Sequence, residues 1–293
     1  MDKQYGDMKR LQEILLLQPS VEHFEQLLST LFSWVGTESI EEVVARAEEV
    51  LSSWPDECRE AELFSMHQRL AGFMFDEDAL CALSLVRSVR VPLMSFIKTE
   101  DLTKVLSVLE SCELLSFVVE RAVFGEELEH VRQLAKTRMP ALKTLSLPES
   151  SLSREGVELL IQSDCFPNVQ YLDLSQNQMD HNALVAFADS LSFVELHHLD
   201  LSGDISAPND FQKGGMAEFV ERSSFQCLQS LNMSYCLLGK GGSEAFARSR
   251  VFSSLETLTL RGCQLGREDV EVLACYGHFP LLKTLDLSEN KHR

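Results

Sequence analysis

One motif recurs six times in the second half of this 293-residue chain. Leu142-Lys-Thr-Leu-Ser-Leu, Val169-Gln-Tyr-Leu-Asp-Leu, Leu196-His-His-Leu-Asp-Leu, Leu228-Gln-Ser-Leu-Asn-Met, Leu255-Glu-Thr-Leu-Thr-Leu and Leu282-Lys-Thr-Leu-Asp-Leu all carry apolar residues at positions 1, 4 and 6. The first positions lie 27, 27, 32, 27 and 27 residues apart. A chain with such a register is built from stacked copies of one unit, since no single copy buries its own apolar face. Position 9 holds Ser150, Asn177, Asp204, Cys236, Cys263 and Asn290.

Alternation at positions 4 to 6 is the mark of a short strand, with side chains 4 and 6 turned to one face. An Asn or Cys three residues on can satisfy backbone groups of the loop that leaves the strand. The intervening segments carry apolar residues at helical spacing, as at Val157, Leu160 and Ile161. Return helices are therefore expected over 153–163, 182–191, 215–222, 242–248 and 267–274. This pattern resembles the leucine-rich repeat. A period of 27 with room for a full helix is similar to the ribonuclease-inhibitor-like subclass. The resemblance implies an α/β fold: a curved solenoid with parallel strands on the concave face and helices outside.

The register extends weakly upstream. Leu114, Phe117, Val119, Ala122 and Phe124 fit positions 1, 4, 6, 9 and 11, with a helix expected over 126–136. Leu80, Leu83 and Leu85 are a further candidate strand, followed by a helix over 99–111. Residues 1–78 lack the register and read as amphipathic helices over 8–17, 21–35, 39–51 and 61–74, separated by Pro- and Gly-containing breaks. The expected organisation is a helical region over 1–78, then the solenoid over 79–293, degenerate over 79–138 and clear over 139–293. The helical region is either a cap on the first repeat or a separate adaptor. The last repeat stops before its helix, which suits either a fragment of a longer solenoid or an edge open to self-association.

Charge narrows the partners. With 45 acids against 26 bases the net charge is −19. That sign repels nucleic-acid phosphates and anionic lipid, and favours a protein with a basic or mixed surface. No apolar run is long enough to span a membrane. No signal-peptide pattern is read, and eight cysteines without CxxC spacing suit reduced thiols in a cytoplasmic protein.

Positions 2, 3, 5 and 7 should face the concave side. They place Tyr171, Asp173, His197, His198, Asp200 and Asn232 near its centre, with Glu256 and Arg261 further along. A polar wall with an aromatic and an arginine suits a protein ligand; the alternative is a solvated surface with no partner. The Asp173, Asp200, His197 and His198 group is also a conceivable metal or acid–base site, but acids so placed in such strands are ordinarily hydrated. Cys236 and Cys263 are read as buried thiols standing in for Asn. Gly239-Lys-Gly-Gly lacks the spacing of a phosphate loop. The segment 203–215 holds the five extra residues of the 32-residue repeat and is a candidate contact loop, in which an exposed Phe211 would favour a partner.

The expected function is a non-enzymatic scaffold that needs no metal or cofactor and binds protein on the concave face. The alternative, which rests on the resemblance, is an activator of a small GTPase with Arg261 near the nucleotide. Ribonuclease inhibition is a further analogy, since acidity suits a basic ligand.

Overall fold

The computed structural model describes residues 2–34, 40–62, 81–91, 99–110, 112–119, 128–152, 154–189, 193–212, 214–223, 225–239 and 241–291. The chain divides into two compact units, residues 1–92 with 96–118, and residues 93–95 with 119–293.

The first unit opens with helices α1 (Asp2–Leu15), α2 (Val21–Phe32) and α3 (Ile40–Leu51). Helix α2 starts where Pro19 ends the preceding segment, and the Ser20 hydroxyl accepts the His23 N–H at 3.2 Å. It buries Phe24, Leu27, Leu28 and Leu31, one stripe at helical spacing. Helix α3 buries Ile40, Val43, Val44, Ala47 and Leu51 in the same way. Three strands follow, β1 (Glu60–Glu62), β2 (Ser88–Val91) and β3 (Ser116–Val119), side by side in that order, with helix α4 (Thr99–Leu109) before β3.

Two expectations are corrected here. Ala61 was expected to open a helix over 61–74; it sits in β1, paired in parallel with Val89 of β2. Residues 63–80 lie outside the described residues. The expected strand around Leu83 and Leu85 is displaced: Leu83 ends a short helical turn, and the strand begins at Ser88. The reason is a valine ladder. Val86, Val89 and Val91 occupy positions 1, 4 and 6 and are 0–1% exposed. Cys58, Val86, Leu114 and Leu142 then succeed one another at intervals of 28, with only two leucines among them to mark the register. Ala122 and Phe124 of the next repeat lie outside the described residues.

An ion pair between buried Arg59 and the partly exposed Glu48 ties α3 to this ladder. The Arg59 side chain is 3% exposed. Its Nε donates to the Leu85 carbonyl at 2.9 Å, and its two terminal nitrogens meet the Glu48 carboxylate at 3.2 and 2.5 Å. Removing a guanidinium from water is costly, and this fork-to-fork geometry offsets the cost.

The second unit carries six strands in one parallel sheet: β4 (Thr144–Ser146), β5 (Tyr171–Asp173), β6 (His198–Asp200), β8 (Ser230–Asn232), β10 (Thr257–Thr259) and β11 (Thr284–Asp286). Between them run α5 (Leu128–Leu134), α6 (Arg154–Ile161), α7 (His181–Ala188), α8 (Gly215–Arg222), α9 (Gly242–Arg248) and α10 (Arg267–Tyr276). A two-stranded ladder of β7 (Asn209–Asp210) and β9 (Cys236–Leu237) links two of the loops. Position-4 residues pair strictly: Leu145 with Leu172, then Leu199, Leu231, Leu258 and Leu285. The first five are at most 2% exposed; Leu285 keeps the register but is 44% exposed, as no described strand follows it. A helix is about 10 Å wide and strands lie about 4.8 Å apart. A stack with strands on one side and helices on the other therefore bends with the strands on its inner wall. Residues 142–291 form a leucine-rich-repeat-like α/β solenoid.

A second apolar column was not foreseen. Phe187, Phe219 and Phe246 come from successive helices, and Phe193, Phe225, Phe252 and Phe279 precede position 1 of successive strands by three. Their rings alternate in one chain of contacts, with centroids 4.8–6.0 Å apart. Such offset aromatic pairs add to simple burial. Its trace in the sequence is a Phe three residues before the motif, at positions 193, 225, 252 and 279.

Candidate functional site

The exposed face of the second unit's sheet is a grid. Position 3 runs Thr144, Tyr171, His198, Ser230, Thr257, Thr284; position 5 runs Ser146, Asp173, Asp200, Asn232, Thr259, Asp286, with neighbours in register. Tyr171 (40% exposed) and His198 lie side by side with ring centroids 5.9 Å apart. Asp173 and Asp200 pair in the same register two residues further along the two strands.

The two aspartates are half-buried and engaged. Asp173 accepts the Ser175 N–H at 2.9 Å and the Ser146 hydroxyl at 3.1 Å. Asp200 accepts the N–H and hydroxyl of Ser202 at 2.8 and 2.6 Å and the Asn232 amide at 2.7 Å. Asn232 repeats the arrangement with Ser234. The Asp-Leu-Ser triplet is thus a local turn device in which the position-5 side chain caps the chain as it leaves the strand. Burial pushes the Asp200 carboxyl above the usual range; Ser202 and Asn232 pull it back, and Asp173 adds to the rise. Burial, then Asp173 and Asp200, also raise the Tyr171 phenol.

The remaining expected residues are separated or occupied. His197 turns its Nδ1 to the Glu195 carbonyl at 2.7 Å. Glu256 pairs with Lys283 at 2.7 Å. Arg261 pairs with Glu289 at 2.5 Å, and Glu289 also accepts the Tyr235 hydroxyl. Hydrogen bonds to Glu289 and Tyr235 hold Arg261 firmly protonated. This cluster packs against Gly262, where a Cβ would lie 2.6 Å from the Tyr235 ring and φ is +65°. Among the described residues no group of three or more His, Cys, Asp or Glu side chains is placed to hold a metal ion.

Phe211 is a correction. It is fully buried, because it fills the apolar position two residues after the polar slot, as Leu238 and Leu265 do in the next repeats. The slot itself was misassigned. Asp204 lies in the inserted turn; Asn209 occupies the ladder, accepting the Met179 N–H at 2.6 Å and donating to the Leu201 carbonyl at 2.7 Å. Asn177 and Asn290 act likewise in their repeats. Cys236 and Cys263 donate to the Leu201 and Met233 carbonyls at 3.1 and 2.9 Å. Burial pushes the Cys263 thiol up to about 11 and the Cys236 thiol well above its usual value, so both stay protonated donors. The apolar tip of the insertion is Ile205, 75% exposed, on a turn held by Asp204 and Ser206.

No protein-family model and no curated protein matches the sequence. A solved yeast structure, the complex of Rad7 and Elc1, matches over 97% of this chain and 82% of that chain, with a TM-score of 0.49 and 14% sequence identity. No described helix is long and apolar enough to cross a membrane.

Proposed function

We propose that the chain is a non-enzymatic protein-binding scaffold, working in the cytoplasm, that docks a partner of basic or mixed surface on the strand face of residues 142–291. The observation that supports it is the Tyr171–His198 pair: two rings side by side on the outward face of a rigid sheet whose other outward side chains are small or polar. Large rings on a preorganised surface are the usual anchors of protein recognition, because little conformational entropy is lost when they are covered. The net charge of −19 suits a cationic partner and fast, salt-sensitive association. We also assign the repeats to the ribonuclease-inhibitor-like subclass, on the 27-residue period and the helix in each return segment.

The test is positional photocrosslinking. A benzophenone amino acid is placed at Ser230 on the strand face or at Glu221 on helix α8. Crosslinks in cell extract that form at Ser230, fall with 0.5 M salt and are absent at Glu221 support strand-face docking. Crosslinks confined to Glu221 refute it.

A further inference from the structure

The chemistry of the strand face can be taken one step further, resting on the docking reading above. The chain's tyrosines are four, and the three whose side chains are described differ in one respect. Tyr276 already carries a cation, with the Arg248 guanidinium 5.1 Å from its ring centroid. Tyr235 gives its hydroxyl to Glu289, which also holds Arg261. Tyr171 lies between Thr144 and His198; among the described residues His198 is the one ring against it, and neither the Tyr171 hydroxyl nor the His198 ring is hydrogen-bonded there.

What surrounds Tyr171 has a sign. Asp173 and Asp200 follow the two rings at the next outward position of the same strands. An ionised carboxylate offers about four lone-pair sites. Asp173 uses two and Asp200 three, so each retains acceptor capacity as well as charge. Lys143 is the lysine of the adjoining strand: its carbonyl accepts the Tyr171 N–H at 2.9 Å and its side chain is exposed to solvent. The geometry points to Tyr171, His198, Asp173 and Asp200 as a receptor for one arginine side chain of the partner, its guanidinium plane stacked on the Tyr171 ring and its N–H groups directed to the two carboxylates. Arginine suits it better than lysine. A planar guanidinium stacks on a ring and still presents donors in its own plane, which an ammonium cannot do at once. Arg248 over Tyr276 shows a guanidinium against a tyrosine ring within this molecule.

The probe is the uncharged-flank pentapeptide acetyl-Gly-Ser-Arg-Ser-Gly-amide, titrated into the full chain by NMR against its citrulline analogue, which keeps the shape and loses the charge. The arginine peptide should shift the Tyr171 ring resonances and bind at least about tenfold more tightly than the citrulline one. Tyr171→Ala should weaken it about tenfold and Tyr171→Phe far less. Removing two acids elsewhere, with Glu244→Gln and Glu271→Gln, should leave it unchanged. Equal binding of the citrulline peptide, or equal loss from the Glu244 and Glu271 changes, overturns the receptor. The citrulline comparison uses the unaltered protein, so misfolding of a variant cannot obscure the result. Failure here with Ser230 crosslinks intact removes the arginine receptor alone. Loss of the Ser230 crosslinks removes the docking face itself.

Discussion

The strands of the first unit and those of the second solve one packing problem with different side chains. From Leu142 on, the buried ladder is leucine apart from Val169 and Met233, and phenylalanines fill the space between strands and helices. In the first unit the same positions hold Ala61, Val86, Val89 and Val91, then Leu114 and Phe117 in the β3 repeat. The polar anchors differ too. The second unit satisfies the loops leaving its strands with neutral Asn and Cys side chains; the first has a buried Cys112 thiol on the Leu83 carbonyl and adds a buried guanidinium, Arg59, held by Glu48 and bonded to the Leu85 carbonyl ahead of β2. The repeat therefore requires an apolar group at positions 1, 4 and 6 and a buried donor beside them. The identity of each is open.

Four measurements would break or sharpen this comparison. The largest effect is expected at the phenylalanine column: Phe219→Ala should cost about 3–5 kcal/mol, since it touches two rings and leaves a large cavity. A thermal midpoint that barely moves would show that the column is ornamental. Within the ladders, Leu172→Ala should cost about 2–5 kcal/mol and Val89→Ala about 1–2, in proportion to the methyl groups removed. Equal losses would mean that cavity relaxation, rather than side-chain size, separates the two units. At the ion pair, Glu48→Ala should cost about 1–2 kcal/mol: it removes the counter-charge of buried Arg59 and of Arg87, but Glu48 itself is 39% exposed and water screens part of the loss. Stability unchanged in urea unfolding would place the pair among weak surface bridges.

The smallest effect concerns pH. The folded-state pKa of Asp200 lies above its unfolded value. The folded state therefore takes up this proton first, so Asp200 adds stability as pH falls from the folded pKa toward the ordinary carboxylate range, and withholds it at neutral pH. Relative to Asp200→Asn, the wild type should gain in melting temperature as pH is lowered through the mildly acidic range. Parallel curves would assign the carboxyl an ordinary pKa.

The leucine ladder of the second unit is plain in the sequence because period, residue type and motif coincide. Helices α8 and α9 are legible to the residue, since Gly214-Gly215 and Gly241-Gly242 mark their starts. The valine ladder was hidden by residue type, and Asn209 by an interval counted straight through an insertion. The partners of Arg59 and Arg261 were hidden for another reason. A charged residue reads as solvated until tertiary structure supplies its counter-ion, although Glu289 lies 28 residues after Arg261, about one period on. The Tyr171–His198 pair follows from the 27-residue period alone.

The insertion between Gly203 and Asn209 carries a practical consequence. The chain leaves the strand, makes a turn closed between Asp204 and Ala207, and returns to the polar ladder at Asn209 with the β6–β8 pairing undisturbed. Gly203 makes this passage sterically feasible, for a Cβ there would lie 2.6 Å from the Asn209 nitrogen. Segment length at this point is thus decoupled from the pitch of the stack, and loops of other sizes can be exchanged at residues 204–208 to display new epitopes while every strand stays in its place.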